Sequence, residues 1–247
     1  MEAIKSKIDT QFSQLEFDEA KHTYEVQGNK LPSVSSKIHS FEEPVDWDEK
    51  AYHVAMRDGK TKEQVLQQWK ENNEESTERG HRVHLFGELY PFNRSMKPAC
   101  KQEEAVVKFW DDLPPHLLIV SLEIRMYHPA LSFAGTSDIL LYDIKTGTFI
   151  IADYKTNKDL FKNFKEKKLL YPFQHLLDCP INKYQIQLSL YQLLFEQTGY
   201  KVSARKIIWL LAEDTLVEGK QYKAGEHVMF DTHDYSKYIE QYLINQN

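Results

Sequence analysis

Residues Gly135 to Lys155 read GTSDILLYDIKTGTFIIADYK. This stretch holds two apolar runs separated by a lysine-threonine-glycine turn, a pattern that predicts two neighbouring antiparallel strands at residues 137–143 and 148–155. Asp138 opens the first run, and an acidic and a basic residue close the second. A buried charge is costly unless it is paired or binds a metal, so these strand ends indicate a functional site.

Two aspartates and a lysine form the centre of this predicted site. Side chains alternate along a strand, so Asp153 and Lys155 share one face, and Asp138 lies about 5 Å away on the neighbouring strand. An Asp138–Asp153 pair could share a hard cation such as Mg²⁺, which prefers carboxylate oxygens. Lys155 could hold the attacking water or neutralise a phosphate, so the set suits phosphodiester hydrolysis. The alternative is an ion pair at a strand end.

A third strand is predicted at residues 117–127, where LLIVSLEIRMY is rich in β-branched and alternating residues. Alternation places Glu123 and Arg125 on the face opposite to Leu122 and Ile124. Glu123 would then be a third metal ligand or orient a water. The alternative is an exposed acid paired with a nearby lysine.

A histidine upstream could complete the metal site. The segment ERGHRVHLFGELY predicts a helix that begins near Ser76 or Thr77. His81, His84 and Glu88 share one face of this helix. Imidazole is a common metal ligand, although a helical histidine taken alone is more often a packing or surface residue.

A helix predicted at residues 182–198 carries a second polar set. Gln187 and Tyr191 are four residues apart along the edge of its apolar stripe, and Tyr184 extends this edge. These side chains could donate hydrogen bonds to a phosphate or a base. The alternative is ordinary amphipathic helix chemistry.

The segment that follows the Asp153 strand is rich in lysine. Residues 155–168, KTNKDLFKNFKEKK, contain six lysines and two acids. We expect Lys158, Lys162 and Lys165 to contact phosphates, because backbone phosphates respond to local positive patches even when the net charge is −6. The alternative is a solvated loop, the usual meaning of such a run.

Composition narrows the class of protein. The 247 residues are 41% hydrophobic and 13% aromatic, enough for a core. No apolar run reaches the ~18 residues of a membrane span, and the N-terminus has no apolar signal region, so we expect a cytoplasmic protein that is not secreted. Two cysteines, Cys100 and Cys179, are too few for a four-cysteine zinc or iron–sulfur site; they suggest free thiols, although a disulfide remains open.

The order of predicted elements indicates an α/β architecture. Helices precede three strands, and a helix then leads to a further strand, which makes a mixed sheet flanked by helices. The other elements are a hairpin at 15–31, a helix capped by Ser33 or Ser35, helices capped by Asp46 and Thr61, a helix at 102–112, strands at 204–212 and 225–230, and a C-terminal helix from Tyr235.

Taken together, these motifs resemble those of the PD-(D/E)XK nuclease superfamily, in particular its RecB-like exonuclease branch. Five family elements occur in order: a histidine in an RGxxxH context, an acid on a strand, an aspartate after Gly-Thr, the (D/E)XK triplet, and a QxxxY helix. The matching residues are His84 after Arg79-Gly80, Glu123, Asp138, Asp153-Tyr154-Lys155, and Gln187 with Tyr191. The resemblance covers about residues 76–212. The N-terminal part is similar to that of phage-type and mitochondrial genome maintenance exonucleases.

The resemblance implies a restriction-endonuclease-like core at 76–247, with an N-terminal hairpin and helical region at 1–75 packed on it as one compact domain. It also implies a DNA nuclease that uses Mg²⁺ or Mn²⁺ and acts on duplex ends or single strands. The implied catalytic residues are Glu123, Asp138, Asp153 and Lys155; the metal ligands are His84, Asp138 and Asp153; the DNA contacts are Tyr184, Gln187, Tyr191, Lys158, Lys162 and Lys165.

Two departures from the family pattern and two alternatives complete the expectations. The chain lacks the cysteines of an iron–sulfur staple, and it has no GxxxxGK[ST] loop, so a helicase or recombinase partner would be a separate protein in a bacterial or phage-infected cell. One alternative is an inactive DNA-binding accessory protein of recombination with a nuclease fold. The other is a restriction-type endonuclease.

Overall fold

The computed structural model describes residues 1–245. Its helices and strands follow in the order α1 (Glu2–Phe12), β1 (Leu15–Asp18), β2 (Thr23–Val26), β3 (Asn29–Leu31), α2 (Val34–His39), α3 (Trp47–Asp58), α4 (Lys62–Leu89), α5 (Lys101–Asp111), β4 (Leu117–His128), β5 (Phe133–Asp143), β6 (Thr148–Lys155), α6 (Pro180–Glu196), β7 (Val202–Leu210), β8 (Thr215–Val217), β9 (Lys220–Tyr222), β10 (His227–Asp231) and α7 (Ser236–Ile244).

A five-stranded mixed sheet in the order β10-β7-β6-β5-β4 forms the centre of the fold. The meander β4-β5-β6 is antiparallel, as its tight turn predicts. The chain then crosses through α6, so β7 lies parallel to β6, and β10 closes the sheet antiparallel to β7. The predicted α/β class and its mixed, helix-flanked sheet are confirmed.

Each face of the sheet is covered by helices, and β6 shows how. Ile151 packs into the core that includes residues of α1, α2, α6 and α7. Ile150, Ala152 and Tyr154 pack into the opposite core, with residues of α4 and α5. The strand is thus buried on both sides, and the predicted alternation places Asp153 and Lys155 on the α6 face.

The N-terminal region is more regular than its sequence suggested. The expected hairpin is a three-stranded antiparallel sheet, β1-β2-β3, and the helix α1, which was not predicted, precedes it. The predicted helix caps are confirmed, because the side chains of Ser33, Asp46 and Thr61 each accept a hydrogen bond from a backbone N–H of the first turn.

The helix start predicted near Ser76 or Thr77 is wrong. Residues 62–89 form the single helix α4, about 42 Å long, and the expected boundary between residues 75 and 76 falls inside it. Ser76 and Thr77 are exposed, and the neighbouring glutamates and arginine are good helix formers that carry the helix past them. A hairpin of β8 and β9 was also not predicted.

The two cysteines and the lengths of the helices bear on the expectations from composition. Cys100 and Cys179 are both free thiols. Within residues 1–245, no helix has both the length and the apolar character needed to cross a membrane.

Candidate active site

The site lies in the middle of β5 and at the end of β6, where the pairing between these two strands stops, and the strand register brings its first two residues together. The last paired residues are Ile139 and Ala152, so Asp138 lies opposite Asp153 one position further on. Asp138 Oδ2 accepts a hydrogen bond of 2.7 Å from the backbone N–H of Tyr154. The buried Asp138 carboxylate therefore links β5 to β6 just beyond the last paired residues of the two strands.

Lys155 is held from three sides. Its ammonium forms an ion pair with Asp153, both side chains being buried. It donates a hydrogen bond of 3.0 Å to Gln187 Oε1 and lies 4.1 Å from the centre of the Tyr184 ring. Gln187 Nε2 in turn donates to the hydroxyl of Tyr191 at 3.0 Å. The polar edge of α6 thus orients the lysine of β6.

His84, Glu123 and Asp138 form a three-residue cluster. One ligand atom from each lies within 4.8 Å of the other two, and His84 Nδ1 is 3.2 Å from Asp138 Oδ2. Helix α4 supplies the imidazole and β4 and β5 supply the carboxylates. Asp153 lies outside this cluster, with its carboxylate on Lys155.

Glu123 has an unusual backbone. Its φ of 51° lies in the left-handed region that non-glycine residues seldom adopt. The kink reverses the side-chain alternation of β4, because Leu122 packs on the α4 side of the sheet whereas Ile124 packs in the core on the other side. The expectation that these two residues share a face is therefore wrong. Strain of this kind is frequent at functional sites.

The cluster has strongly perturbed ionisation. Burial lowers the pKa of His84, but the Asp138 carboxylate outweighs it and the pKa rises to about 9. Burial raises the pKa of Asp138, but His84 outweighs it and the pKa falls below its usual value. Burial, followed by the charge of Asp138, raises the pKa of Glu123 to about 7. The two carboxylates and the imidazole are thus close enough for the charge of each to shift the pKa values of the others.

The neighbouring ion pair behaves similarly. Burial, and next the Asp138 carboxylate, raises the pKa of Asp153 to about 6. Burial lowers the pKa of Lys155, but Asp153, Tyr184 and Asp138 together outweigh burial and the pKa is raised. Lys155 is therefore a buried ammonium that stays charged beside the carboxylates of Asp153 and Asp138.

The residues fit a divalent cation. An imidazole and carboxylates form a donor set that suits Mn²⁺, and carboxylates alone suit Mg²⁺. Asp153 Oδ2 is buried and has no hydrogen bond of normal geometry within residues 1–245, only its ion pair. The excess of buried acid at this point would be compensated by a cation.

A cleft of about 630 Å³ opens onto the cluster. Helix α4 forms one wall, with His84 and Leu85, and the N-terminal sheet forms the other, with Phe17 and Tyr24. The floor holds Glu123, Asp138 and Tyr191. Its volume is in the range of sites that enclose a small ligand.

A family model agrees with this geometry. The model of the PD-(D/E)XK nuclease superfamily matches residues 41–244. The chain belongs to this superfamily. Nucleases of the PD-(D/E)XK type generally use divalent metals, in keeping with the donor set found here. No curated protein matches the chain in sequence.

The three lysines expected to contact phosphates lie outside the lining of the cleft. They belong to the exposed loop between β6 and α6. Lys158 pairs with Glu213 at 3.2 Å, Lys165 lies over the Phe164 ring, and Lys162 is exposed. None of the three is within the described cleft lining. Their role in binding remains a prediction.

Three residues at the PD-(D/E)XK site were not expected from the sequence to have a role there, and one of them, Gly135, is structural. A Cβ at Gly135 would lie 2.7 Å from Val34 Cγ2 and 2.9 Å from Tyr191 Cε1. The glycine of GTSD therefore lets α2 and Tyr191 approach β5 closely, and its place before Thr-Ser-Asp was the available signal. Arg125 and His22 also line the cleft; no local pattern marked His22.

Proposed function

We propose that this protein is a DNA exonuclease of the RecB-like branch that uses Mg²⁺ or Mn²⁺ and acts on duplex ends or single strands during replication, recombination or repair. The observation that carries the proposal is the buried Asp153–Lys155 pair beside the cluster of His84, Glu123 and Asp138 at one cleft. Family membership supports phosphodiester hydrolysis as the reaction.

Each residue has a separate role in this proposal. His84 and Asp138 of the cluster bind the metal together with Asp153 of the neighbouring ion pair, and Glu123, the third member of the cluster, assists directly or by orienting a water. When bound, the metal supplies Lewis-acid stabilisation of the phosphate and lowers the pKa of a water. Lys155 donates a hydrogen bond to the attacking water or to the phosphate.

The contacts of Lys155 support its role. The Asp153 carboxylate keeps the ammonium charged, and Gln187 and the Tyr184 ring hold it in place. Gln187 and Tyr191, expected from the sequence to contact DNA, therefore also position the lysine. A donor fixed in advance costs no reorganisation during the reaction, which is the main source of electrostatic catalysis.

Partners and location extend the proposal. DNA is the substrate that membership of a nuclease superfamily favours. A separate helicase or recombinase and a cytoplasmic location in a bacterial or phage-infected cell remain predictions, without support from the described residues.

The test is digestion of linear DNA labelled at the 5′ or the 3′ end, beside covalently closed circular DNA, with Mg²⁺ or Mn²⁺. We expect metal-dependent shortening of linear DNA and an intact circle. Cleavage of the circle would favour a restriction-type endonuclease. Inactivity on all substrates with retained DNA binding would favour the accessory protein.

A matched pair of histidine variants tests the metal ligands. We expect His84→Ala to raise the Mn²⁺ concentration for half-maximal cleavage by at least about tenfold, because even an indirect partner of a metal site contributes that much. His53→Ala is the control, since His53 is exposed on the neighbouring helix α3 and lies outside both the cluster and the cleft lining. Equal behaviour of the two variants would contradict the assignment of His84.

A further inference from the structure

The wall of the cleft opposite α4 carries an aromatic cluster. Phe17, His22 and Tyr24 meet there: the His22 ring is 5.1 Å from that of Phe17 at 84°, and 6.1 Å from that of Tyr24 at 75°. Both ring pairs are T-shaped, and the His22 side chain is exposed. Its φ is 50°, and with Glu123 it is one of two non-glycine residues with a positive φ among those described as lining this cleft.

Arg125 adds a cation to the same wall. Its guanidinium lies 4.7 Å from the centre of the Phe17 ring and pairs with Glu19 at 2.9 Å. The side chain is 45% exposed. A guanidinium carries five N–H donors, and within residues 1–245 the one hydrogen bond from Arg125 goes to Glu19. Arg125 lines the cleft, and the donors that Glu19 does not engage suit a phosphate bound there.

The wall is close to the metal cluster. The Tyr24 hydroxyl and Thr136 Oγ1 are 2.8 Å apart, and Thr136 is the strand partner of Arg125. Thr136 precedes Asp138 by two residues, and Arg125 follows Glu123 by two, an offset of about 7 Å along a strand. This offset matches roughly one step along an extended nucleic acid strand.

We propose that His22 and Arg125 bind the nucleotide next to the scissile phosphate, and that they select unpaired DNA. The inference deepens the proposed function and rests on it. The His22 imidazole stacks on the base, since aromatic and histidine faces stack unpaired bases without regard to sequence. The Arg125 guanidinium binds the adjoining phosphate. A base that stacks on a side chain has left the duplex stack, so this wall admits a single strand.

Two other roles fit the geometry of His22 less well. A metal ligand at this position is not supported, because within the described residues the ligand cluster comprises His84, Glu123 and Asp138. A contribution to the core is not supported either, because the imidazole is exposed. The positive φ of His22 closes the turn between β1 and β2, so the proposal is based on the exposed ring at the cleft wall and not on backbone strain.

The experiment uses single-stranded oligonucleotides that carry one abasic unit, scanned across the cleavage position, with steady-state cleavage by the intact protein. For the wild type, an abasic unit next to the scissile phosphate should raise KM about five- to hundredfold, the range of one base–aromatic stack. His22→Asn should raise KM of the unmodified strand similarly and be insensitive to the abasic unit. Asparagine tolerates a positive φ, so the change removes the ring without adding strain.

Controls separate this inference from the proposed function. His116→Ala, at the far end of β4, should respond to the abasic unit like the wild type. Thermal unfolding should show that His22→Asn is folded. If His22→Asn and the wild type respond equally, the inference is wrong while the nuclease assignment stands. If the wild type cleaves no DNA, the nuclease assignment fails, and fluorescence anisotropy with the same oligonucleotides still tests stacking at His22.

Discussion

At the level of single residues, the Asp153–Lys155 pair has a proposed role in catalysis and also contributes to the stability of the fold. Both side chains are buried, and each compensates the charge of the other. Removing one partner of a buried pair leaves an uncompensated charge, whereas replacing both is often tolerated. The proposed water-positioning lysine is therefore also a structural residue.

This coupling gives a stability prediction. We expect Lys155→Ala to abolish cleavage and to lower the free energy of unfolding by about 3–5 kcal/mol. The double variant Asp153→Asn/Lys155→Met should be inactive but more stable than Lys155→Ala, because no buried charge is left unpaired. Urea unfolding followed by circular dichroism measures the difference.

The control is an exposed pair of the same chemistry. Lys158→Ala removes the partner of Glu213, and an exposed ion pair contributes little to stability. We expect unfolding of this variant to resemble that of the wild type. A double variant no more stable than Lys155→Ala would contradict the view that the buried pair compensates itself.

At the scale of elements, the packing of α4 on β6 depends on one glycine. A Cβ at Gly87 would lie 2.6 Å from Tyr154 Cε2, and Tyr154 lies between the two charged residues of the triplet. A Cβ at Gly80, seven residues earlier on the same helix, would meet only Thr156 Oγ1, at 3.6 Å. The close contact thus aligns α4 with the catalytic end of β6.

The two glycines give opposite predictions. Gly80→Ala should stabilise the protein by about 0.5–1 kcal/mol, because alanine favours helix more than glycine does. Gly87→Ala should destabilise it by about 1–3 kcal/mol through overpacking and should reduce cleavage, because Tyr154 must move. Thermal unfolding and cleavage rates of both variants measure this; a Gly87→Ala protein as stable and active as Gly80→Ala would contradict it.

The sequence predicted those elements whose signals are local. The alternation and tight turn of residues 137–155 place Asp138 opposite Asp153, and three helix caps are readable from single residues. The kink at Glu123 is not readable, because nothing near glutamate indicates a positive φ. The contact of Lys155 with Gln187 spans 32 residues and depends on how α6 docks. The wall formed by His22 and Arg125 depends on pairing between distant segments.

At the scale of the whole molecule, charge is unevenly distributed. The net charge is −6, yet the loop between β6 and α6 begins at the site and carries exposed lysines. Lys162 and Lys165 have exposed neighbours in Phe161 and Phe164. Lysines interleaved with aromatic rings are typical of surfaces that bind single strands, so we expect this loop to guide DNA to the cleft.

Salt dependence tests this surface. The double variant Lys162→Ala/Lys165→Ala should reduce the slope of log affinity against log salt by about 1.4 for single-stranded DNA, or about 0.7 per lost phosphate contact. The matched control is Lys145→Ala/Lys201→Ala, at the opposite end of the sheet. An equal slope for the two double variants would show that the loop contacts no phosphate.

The left-handed backbone at Glu123 has a consequence for how this protein changes in evolution. Folding alone would favour glycine or asparagine at a φ of 51°, so drift without selection on activity would replace the glutamate. Asp138 differs, because its carboxylate accepts a hydrogen bond from the backbone N–H of Tyr154 and so contributes to the stability of the fold. Among proteins that descend from this one, a retained glutamate at position 123 is therefore better evidence of nuclease activity than a retained aspartate at position 138.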